Sequence, residues 1–357
     1  MNQRVTKLQA LLKRNKMEAL LVTYRPNCYY ISGFTGTSGV LVITPDDSIL
    51  VTDFRYLSQV REQAPDFTVV EHLGNQMYAK VAEVCLNLGI STLHFESEHL
   101  SFAEYDDLFR ALDKRVSLTA TTNVIEEIRA IKEEIELTYI KEAIHIAEES
   151  FHQLLTELAP GMSEKSIALR LEWLMRERGA SGVSFDMIVA SGIRSSLPHG
   201  VASDKPIAAG ELVTFDFGCF YQGYASDITR TIAIGSCSTK QREIYEVVRV
   251  ANEKTIAALF AGMNARDADA VARDFIRQAG FEDCFGHGTG HGIGLDIHEF
   301  PRLGTSSKDI LTPGMVVTVE PGIYLENQFG VRIEDDILIT SEGYEVLTSL
   351  PKELIIL

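Results

Sequence analysis

Four carboxylates in this 357-residue chain lie in or shortly after two segments built to one plan. Residues 209–218 read Ala-Gly-Glu-Leu-Val-Thr-Phe-Asp-Phe-Gly, and residues 313–322 read Pro-Gly-Met-Val-Val-Thr-Val-Glu-Pro-Gly. Gly210 and Gly314, Val213 and Val317, and Thr214 and Thr318 coincide, and Asp216 and Glu320 fill the same place in each copy. A second acid follows each segment: Asp227 in Ser-Asp-Ile-Thr-Arg-Thr and Glu334 in Arg-Ile-Glu-Asp-Asp. The alternating apolar pattern reads as strand, and the two acids of each copy are spaced as on facing strands of a hairpin. Acids are disfavoured in strands, and an unpaired buried charge is very costly. Four of them in register across a repeat point to a cation site.

A glycine-rich stretch adds histidines. Gly286-His287-Gly-Thr-Gly-His291-Gly-Ile-Gly-Leu-Asp-Ile-His298-Glu299 packs three histidines into a run with five glycines at 286–294. His287 and His291 have the spacing of a zincin helix. The glycines argue against a helix, and no Glu follows His287. A glycine-rich strand or loop instead lets backbone approach a metal or a substrate closely. A histidine from this run with four carboxylates is more than one small ion needs and suits two ions sharing acids. Hard oxygen donors favour Mn, with Co, Fe or Zn as alternatives, and exclude a thiolate site. Two such ions can activate water and polarise a carbonyl, which is hydrolytic chemistry. Ser195-Ser-Leu-Pro-His199-Gly, in a loop of the first half, offers one more histidine.

The surrounding chain must position these groups. Residues 3–15 carry Leu8, Leu11 and Leu12 at helical spacing, and 19–23, 39–44 and 48–52 read as strands with a Pro45-Asp46-Asp47 turn. Residues 75–88 and 101–112 read as helices and 91–95 as a strand, so the first third alternates as an α/β unit. Gly33-Phe-Thr-Gly36-Thr-Ser-Gly39 lacks both G-x-G-x-x-G and a phosphate-loop lysine, and reads as a plain loop. A boundary is expected near 120–132, giving domains 1–128 and 129–357. The second domain repeats itself. Gly161-Met162-Ser163 opens a helix ending near Gly179, and Gly262-Met263-Asn264 opens one ending near Gly280. Ser163 and Asn264 are suitable N-caps. The expected architecture is helix–helix–hairpin, twice, about a pseudo-two-fold axis that brings the acids together.

Bulk properties exclude several classes. A formal net charge of −17 argues against nucleic acid as a partner. No apolar run is long enough to span a membrane, and the N-terminal residues lack the apolar stretch of a secretion signal, so a cytoplasmic chain is expected. The five cysteines form no C-x-x-C and read as reduced thiols, Cys219 as a buried one.

Taken in order, Asp-Phe-Gly, Ser-Asp-Ile-Thr-Arg-Thr, Gly-His-Gly-Ile-Gly-Leu-Asp-Ile-His-Glu, Val-Glu-Pro-Gly-Ile-Tyr and Val-Arg-Ile-Glu-Asp resemble the signature blocks of the pita-bread metallopeptidases. The match is to the proline-specific branch, Xaa-Pro dipeptidase and Xaa-Pro aminopeptidase, and it covers essentially the whole chain. The resemblance implies an α+β protein: a C-terminal pita-bread catalytic domain behind an N-terminal α/β creatinase-like domain. It implies two divalent ions, with Asp216 on one, Asp227 and Glu334 bridging both, and His291 and Glu320 completing the second. It implies a metal-bridging hydroxide that attacks the carbonyl before proline, with Glu320 as proton relay. By the same resemblance His199 and His298 are substrate-side catalytic histidines and His287 is a further pocket residue. Arg332 supports a ligand carboxylate or meets substrate, and a homodimer is implied.

Tyr221, Tyr224, Phe300 and Tyr324 lie near the blocks and are candidates to line a proline pocket. Arg302 is the candidate cation for the free carboxylate of an Xaa-Pro dipeptide. The alternatives are a non-proline aminopeptidase or a creatinase-like C–N hydrolase on this fold, and a non-catalytic binding module. Intact ligand positions and the N-terminal domain weigh against them.

Overall fold

A computed structural model of the chain describes residues 3–357. The chain divides into two compact units, one ending at Arg129 and the other beginning at Ala130.

The first unit is a six-stranded mixed sheet flanked by helices. Its strands run, across the sheet, Thr68–Glu71, Ser48–Thr52, Val40–Ile43, Ala19–Val22, Thr92–Glu96 and Ser117–Thr121. Ala19–Val22 and Val40–Ile43 are central and wholly buried, which explains their unbroken apolar sequence. The two edge strands expose much of their length. Helices Gln3–Asn15, Met77–Asn87 and Phe102–Leu112 bury one stripe each, Leu8, Leu11 and Leu12 among them.

The second unit is the repeat. Helices Glu134–Glu157 and Glu164–Glu177 precede a sheet of Ile188–Ser191, Leu212–Phe217 and Ile228–Ala233. Helices Thr239–Ala258 and Ala265–Gln278 precede a sheet centred on Gly290–Gly292, Val316–Val319 and Asp335–Thr340. The shorter helices start and stop alike. Ser163 Oγ accepts from Ser166 N and Asn264 Oδ1 from Arg266 N, while Gly179 and Gly280 take φ of 106° and 88° just past the ends. Each half puts one helical pair over its sheet, and the two sheets meet along their central hairpins. Glu334 N donates to Thr229 O at 3.1 Å and Asp227 N to Asp336 Oδ2 at 3.2 Å across that seam.

The hairpins are more elaborate than simple facing strands. Between Asp216 and Asp227 sits a small ribbon of Cys219–Tyr221 and Tyr224–Ala225, and between Glu320 and Glu334 a hairpin of Gly322–Leu325 and Phe329–Arg332. Only Asp216 lies inside a strand. Asp227 and Glu334 stand just before one, and Glu320 just after one. Strand ends gather at the seam, so the acids converge there rather than lining a sheet face. No helix among the described residues is long and apolar enough to cross a membrane.

Candidate metal centre

Asp227, His291 and Glu334 each offer one ligand atom, and the three atoms lie within 4.8 Å of one another. Asp227 comes from the first half of the repeat and the other two from the second. Glu320 joins them, with Oε1 at 3.6 Å from His291 Nε2, and Asp227 Oδ2 is equally 3.6 Å from that nitrogen.

The tautomer of His291 follows from its other nitrogen. Nδ1 lies 3.1 Å from the Gly292 carbonyl, which can only accept, so Nδ1 carries the proton and the Nε2 lone pair faces the acids. The strand Gly290–Gly292 is glycine-flanked because it runs against neighbouring backbone. A Cβ on Gly290 would stand 2.0 Å from the Thr318 carbonyl oxygen. His291 N donates to Thr318 Oγ1 at 3.1 Å, and Glu320 N to Thr289 O at 2.8 Å, which ties histidine and carboxylate to one register.

Asp216 is held by Arg332. The guanidinium Nη2 is 2.5 Å from Oδ2, while Oδ1 is buried with no hydrogen-bond partner. Arg332 is itself buried and works in several directions. Nε donates to Thr229 Oγ1 at 3.1 Å, and that hydroxyl donates to Glu334 Oε2 at 2.7 Å. Nη1 donates to the Pro198 carbonyl at 3.1 Å and to Tyr324 Oη at 2.7 Å. Since Tyr324 Oη accepts from Arg332, its own proton goes to His287 Nε2 at 2.9 Å. His287 Nδ1–H then donates to Gly288 O at 2.8 Å. Both nitrogens of His287 are therefore spent on the protein. His298, by contrast, packs edge-on to His291 with ring centroids 4.3 Å apart.

The electrostatics fit cations. Burial, then the neighbouring Glu334 and Asp216, push Asp227 well above the usual carboxylate range. Burial, then Glu320 and Asp216, do the same to Glu334. Burial raises Glu320 to about 8, with Arg332 pulling the other way. Burial and the nearby His298 lower His291 to about 3, so it is neutral and able to ligate. A crowd of buried acids that resist ionising, an orphaned Asp216 oxygen and a neutral imidazole form a donor set suited to divalent cations.

All ten candidate residues reach one cavity of about 930 Å³: His199, Asp216, Asp227, His287, His291, His298, Arg302, Glu320, Arg332 and Glu334. Its other walls are Phe185, Ile188, Pro198, Val201, Ile297 and Leu303, with Lys308 from the same chain segment, 302–309, as Arg302. The four aromatics expected to line it do not. Tyr224 gives its hydroxyl to Glu136, Tyr221 packs against Tyr139, Phe300 joins a core cluster, and Tyr324 serves Arg332 and His287. Phe185 is the aromatic that faces the cavity instead. Thr229 had a readable signal, because it lies two residues from Asp227 and so shares its strand face. Cys219 is buried beneath the sheet, its Sγ 3.3 Å from the Ala143 carbonyl, and burial pushes its thiol up to about 12.

Comparison with known proteins agrees with this geometry. Metallopeptidase family M24 matches residues 138–341, and the Creatinase/Prolidase N-terminal domain matches residues 4–131. The uncharacterized peptidase YqhT of Bacillus subtilis is 46% identical over 99% of this chain and 100% of its own. The solved structure of an Xaa-Pro dipeptidase from Bacillus anthracis superimposes with a TM-score of 0.97 at 45% identity, covering 99% of both chains. An X-Pro aminopeptidase from Thermotoga maritima does so with a TM-score of 0.89 at 38% identity, covering 95% of this chain and 97% of the other. A protein whose first unit matches the creatinase/prolidase domain and whose repeat places buried acids and a neutral histidine around one cavity is thus accounted for: the chain belongs to metallopeptidase family M24.

Proposed function

We propose that this enzyme hydrolyses the Xaa-Pro bond of dipeptides, with residues 129–357 carrying the chemistry. In this reading Asp216, Asp227, His291, Glu320 and Glu334 hold two divalent cations. The observation that carries it is the convergence of Asp227, His291 Nε2 and Glu334 within 4.8 Å. When bound, two such ions supply Lewis acidity and a water of lowered pKa.

The chain's own residues do the rest. His291 presents Nε2 because Gly292 holds its Nδ1 proton. Arg332 fixes the carboxylate of Asp216 and, through Thr229, that of Glu334. Glu320, beside His291 with Oε1 3.6 Å from Nε2, would be a carboxylate once cations are bound, able to take a proton from water and return it to the proline nitrogen as the bond breaks. That nitrogen belongs to a tertiary amide and has no proton of its own. His199 and His298 stand on the cavity wall and donate to the carbonyl oxygen as it gains charge. His287 is committed to Tyr324 and Gly288 and acts by holding its surroundings. Apolar walls of Phe185, Ile188 and Ile297 recognise the proline ring by shape.

Dipeptide preference rests on Arg302, a cation in the cavity that suits the free carboxylate after proline. The likeness to the Xaa-Pro dipeptidase from Bacillus anthracis, at 45% identity, also supports it. Donor hardness makes Mn the first choice of metal, and a cytoplasmic homodimer completes the reading on resemblance.

The test compares kcat/KM on Ala-Pro and Ala-Pro-Ala with Mn, Co or Zn after chelation. Activity that returns with about two equivalents of metal per chain supports the reading. Arg302→Ala should then harm Ala-Pro far more than Ala-Pro-Ala. Equal losses remove the dipeptide assignment, and turnover that survives full chelation removes the metal mechanism.

A further inference from the structure

Glu164 is a fully buried carboxylate outside the acid cluster. It is the first residue of helix Glu164–Glu177, directly after the N-cap Ser163. Five donors converge on it. Oε1 accepts from Ser191 N at 2.7 Å and Ser191 Oγ at 2.8 Å. Oε2 accepts from Arg194 Nε at 2.9 Å, Ser203 N at 3.1 Å and Ser203 Oγ at 2.6 Å. Two carboxylate oxygens offer about four lone-pair sites, so this group is saturated.

What those donors have in common is their place in the chain. Ser191 ends strand Ile188–Ser191, and Ser203 lies beyond the loop that leaves it. Residues 192–202 therefore form a loop whose two stems are tied to a single side chain at the neck. Arg194 braces it from within, since its Nη2 also donates to Val201 O at 2.6 Å. Farther out, Gly330 N donates to Ser195 Oγ at 2.9 Å, and Arg332 donates to Pro198 O. Pro198, His199 and Val201, which all line the cavity, belong to this loop.

The second half of the repeat repeats the device. Asp269, buried in helix Ala265–Gln278, accepts from Thr289 N at 3.0 Å and Thr289 Oγ1 at 2.8 Å, and pairs with Arg273. Arg273 in turn donates to the carbonyl of His287 at 2.8 Å. In both halves a buried acid on the second helix anchors a backbone segment that carries a cavity histidine.

We infer that Glu164 is a positioning residue: it latches loop 192–202 at its neck and thereby sets where His199 stands over the cavity. The inference rests on the proposed substrate-side role of His199. It needs no change of protonation. It needs only that both carboxylate oxygens accept, which is why Glu164→Gln is the informative change. The amide must point one N–H group at donors that already face it.

The experiment uses the full-length protein and two readouts. The first is hydrogen exchange of Glu164→Gln against the parent, which is independent of turnover. The latch predicts at least about tenfold faster exchange confined to residues 192–202, as expected for local opening. The second is kcat/KM on Ala-Pro for Glu164→Gln, His199→Ala and the double variant. A misplaced histidine costs on the order of 10²-fold. The double variant should be no worse than His199→Ala alone, because the latch has nothing left to position.

Unchanged exchange in the loop, or loosening spread through the whole unit, overturns the latch. Losses that multiply in the double variant overturn the link to His199. A silent His199→Ala would sink the proposed role of His199, and the exchange result alone would then decide the latch. Should Glu164→Gln fail to accumulate, Ser203→Ala removes one of the five donors and gives the same pattern at smaller amplitude.

Discussion

Arg332 and Asp216 form a buried pair in which the guanidinium satisfies one carboxylate oxygen at 2.5 Å and leaves the other without a protein partner. One side of Asp216 is therefore fixed and the other is free for a cation. Removing one member of such a pair strands a buried charge, which costs about 3–5 kcal/mol. Arg332→Met should lower the stability of the chelated protein by an amount of that order and reduce kcat/KM at least about tenfold. Arg332→Lys keeps the charge but cannot reach Asp216, Thr229, Pro198 and Tyr324 together, so it should recover little. Denaturant unfolding with and without chelator, together with kinetics, checks this. A lysine variant equal to the parent in both would rule it out.

The raised acids give the metal-free protein a distinctive pH response. Burial moves Glu320 from an ordinary 4.5 to about 8, and Asp227 and Glu334 shift the same way. Across that window the folded chain holds protons that the unfolded chain has released. Linkage then makes stability fall as pH rises. The chelated protein should be fully stable in this respect near pH 4.5 and lose the contribution as pH passes through about 8, visible as a falling Tm. Saturating Mn should abolish most of that fall, since a cation replaces the protons. Calorimetry in two buffers of different ionisation heat counts the protons released on binding. A count of zero at about pH 6 would contradict the prediction.

Gly290 is required by contact. An added methyl would sit 2.0 Å from the backbone oxygen of Thr318, and the next residue is His291. Gly290→Ala should push strand Gly290–Gly292 off its neighbour and weaken metal affinity by about 10–100-fold. Gly286→Ala meets open space and serves as the control. Metal titration of both variants decides the matter, and equal affinities would show that the close approach is unimportant.

The repeat was legible because its signals are local. The caps Ser163 and Asn264, the glycines past the helix ends and the paired acids all repeat at fixed spacing, and each reflects a backbone or charge requirement. In the first unit the buried strands were legible and the edges were not. Thr68–Glu71 and Ser117–Thr121 are short and half-exposed because only one side of each is paired, so their apolar signal, Val69 and Val70 in one and Leu118 and Ala120 in the other, is weak. Helix Arg25–Ser32 lacks helical periodicity. It holds Pro26 in its first turn and is fixed by burial of Cys28, Tyr30 and Ile31. At the site, the acids and histidines could be found from type and spacing. Of the partners that orient them, Arg332 was named by resemblance and Thr229 was readable from its spacing, but the ties to the 192–202 loop were not, because Arg332 reaches Pro198 and Glu164 reaches Ser203 across long stretches of chain. The tyrosines near the motifs misled for a similar reason: their hydroxyls are claimed by Glu136 and Arg332 inside the protein.

The cluster of Asp227, His291 and Glu334 takes members from both halves of the repeat, with Asp227 in one and His291 and Glu334 in the other. A growing polypeptide cannot close it until both hairpins have emerged and docked. Ion capture thus requires the docked repeat, and it would report that the two halves have found each other.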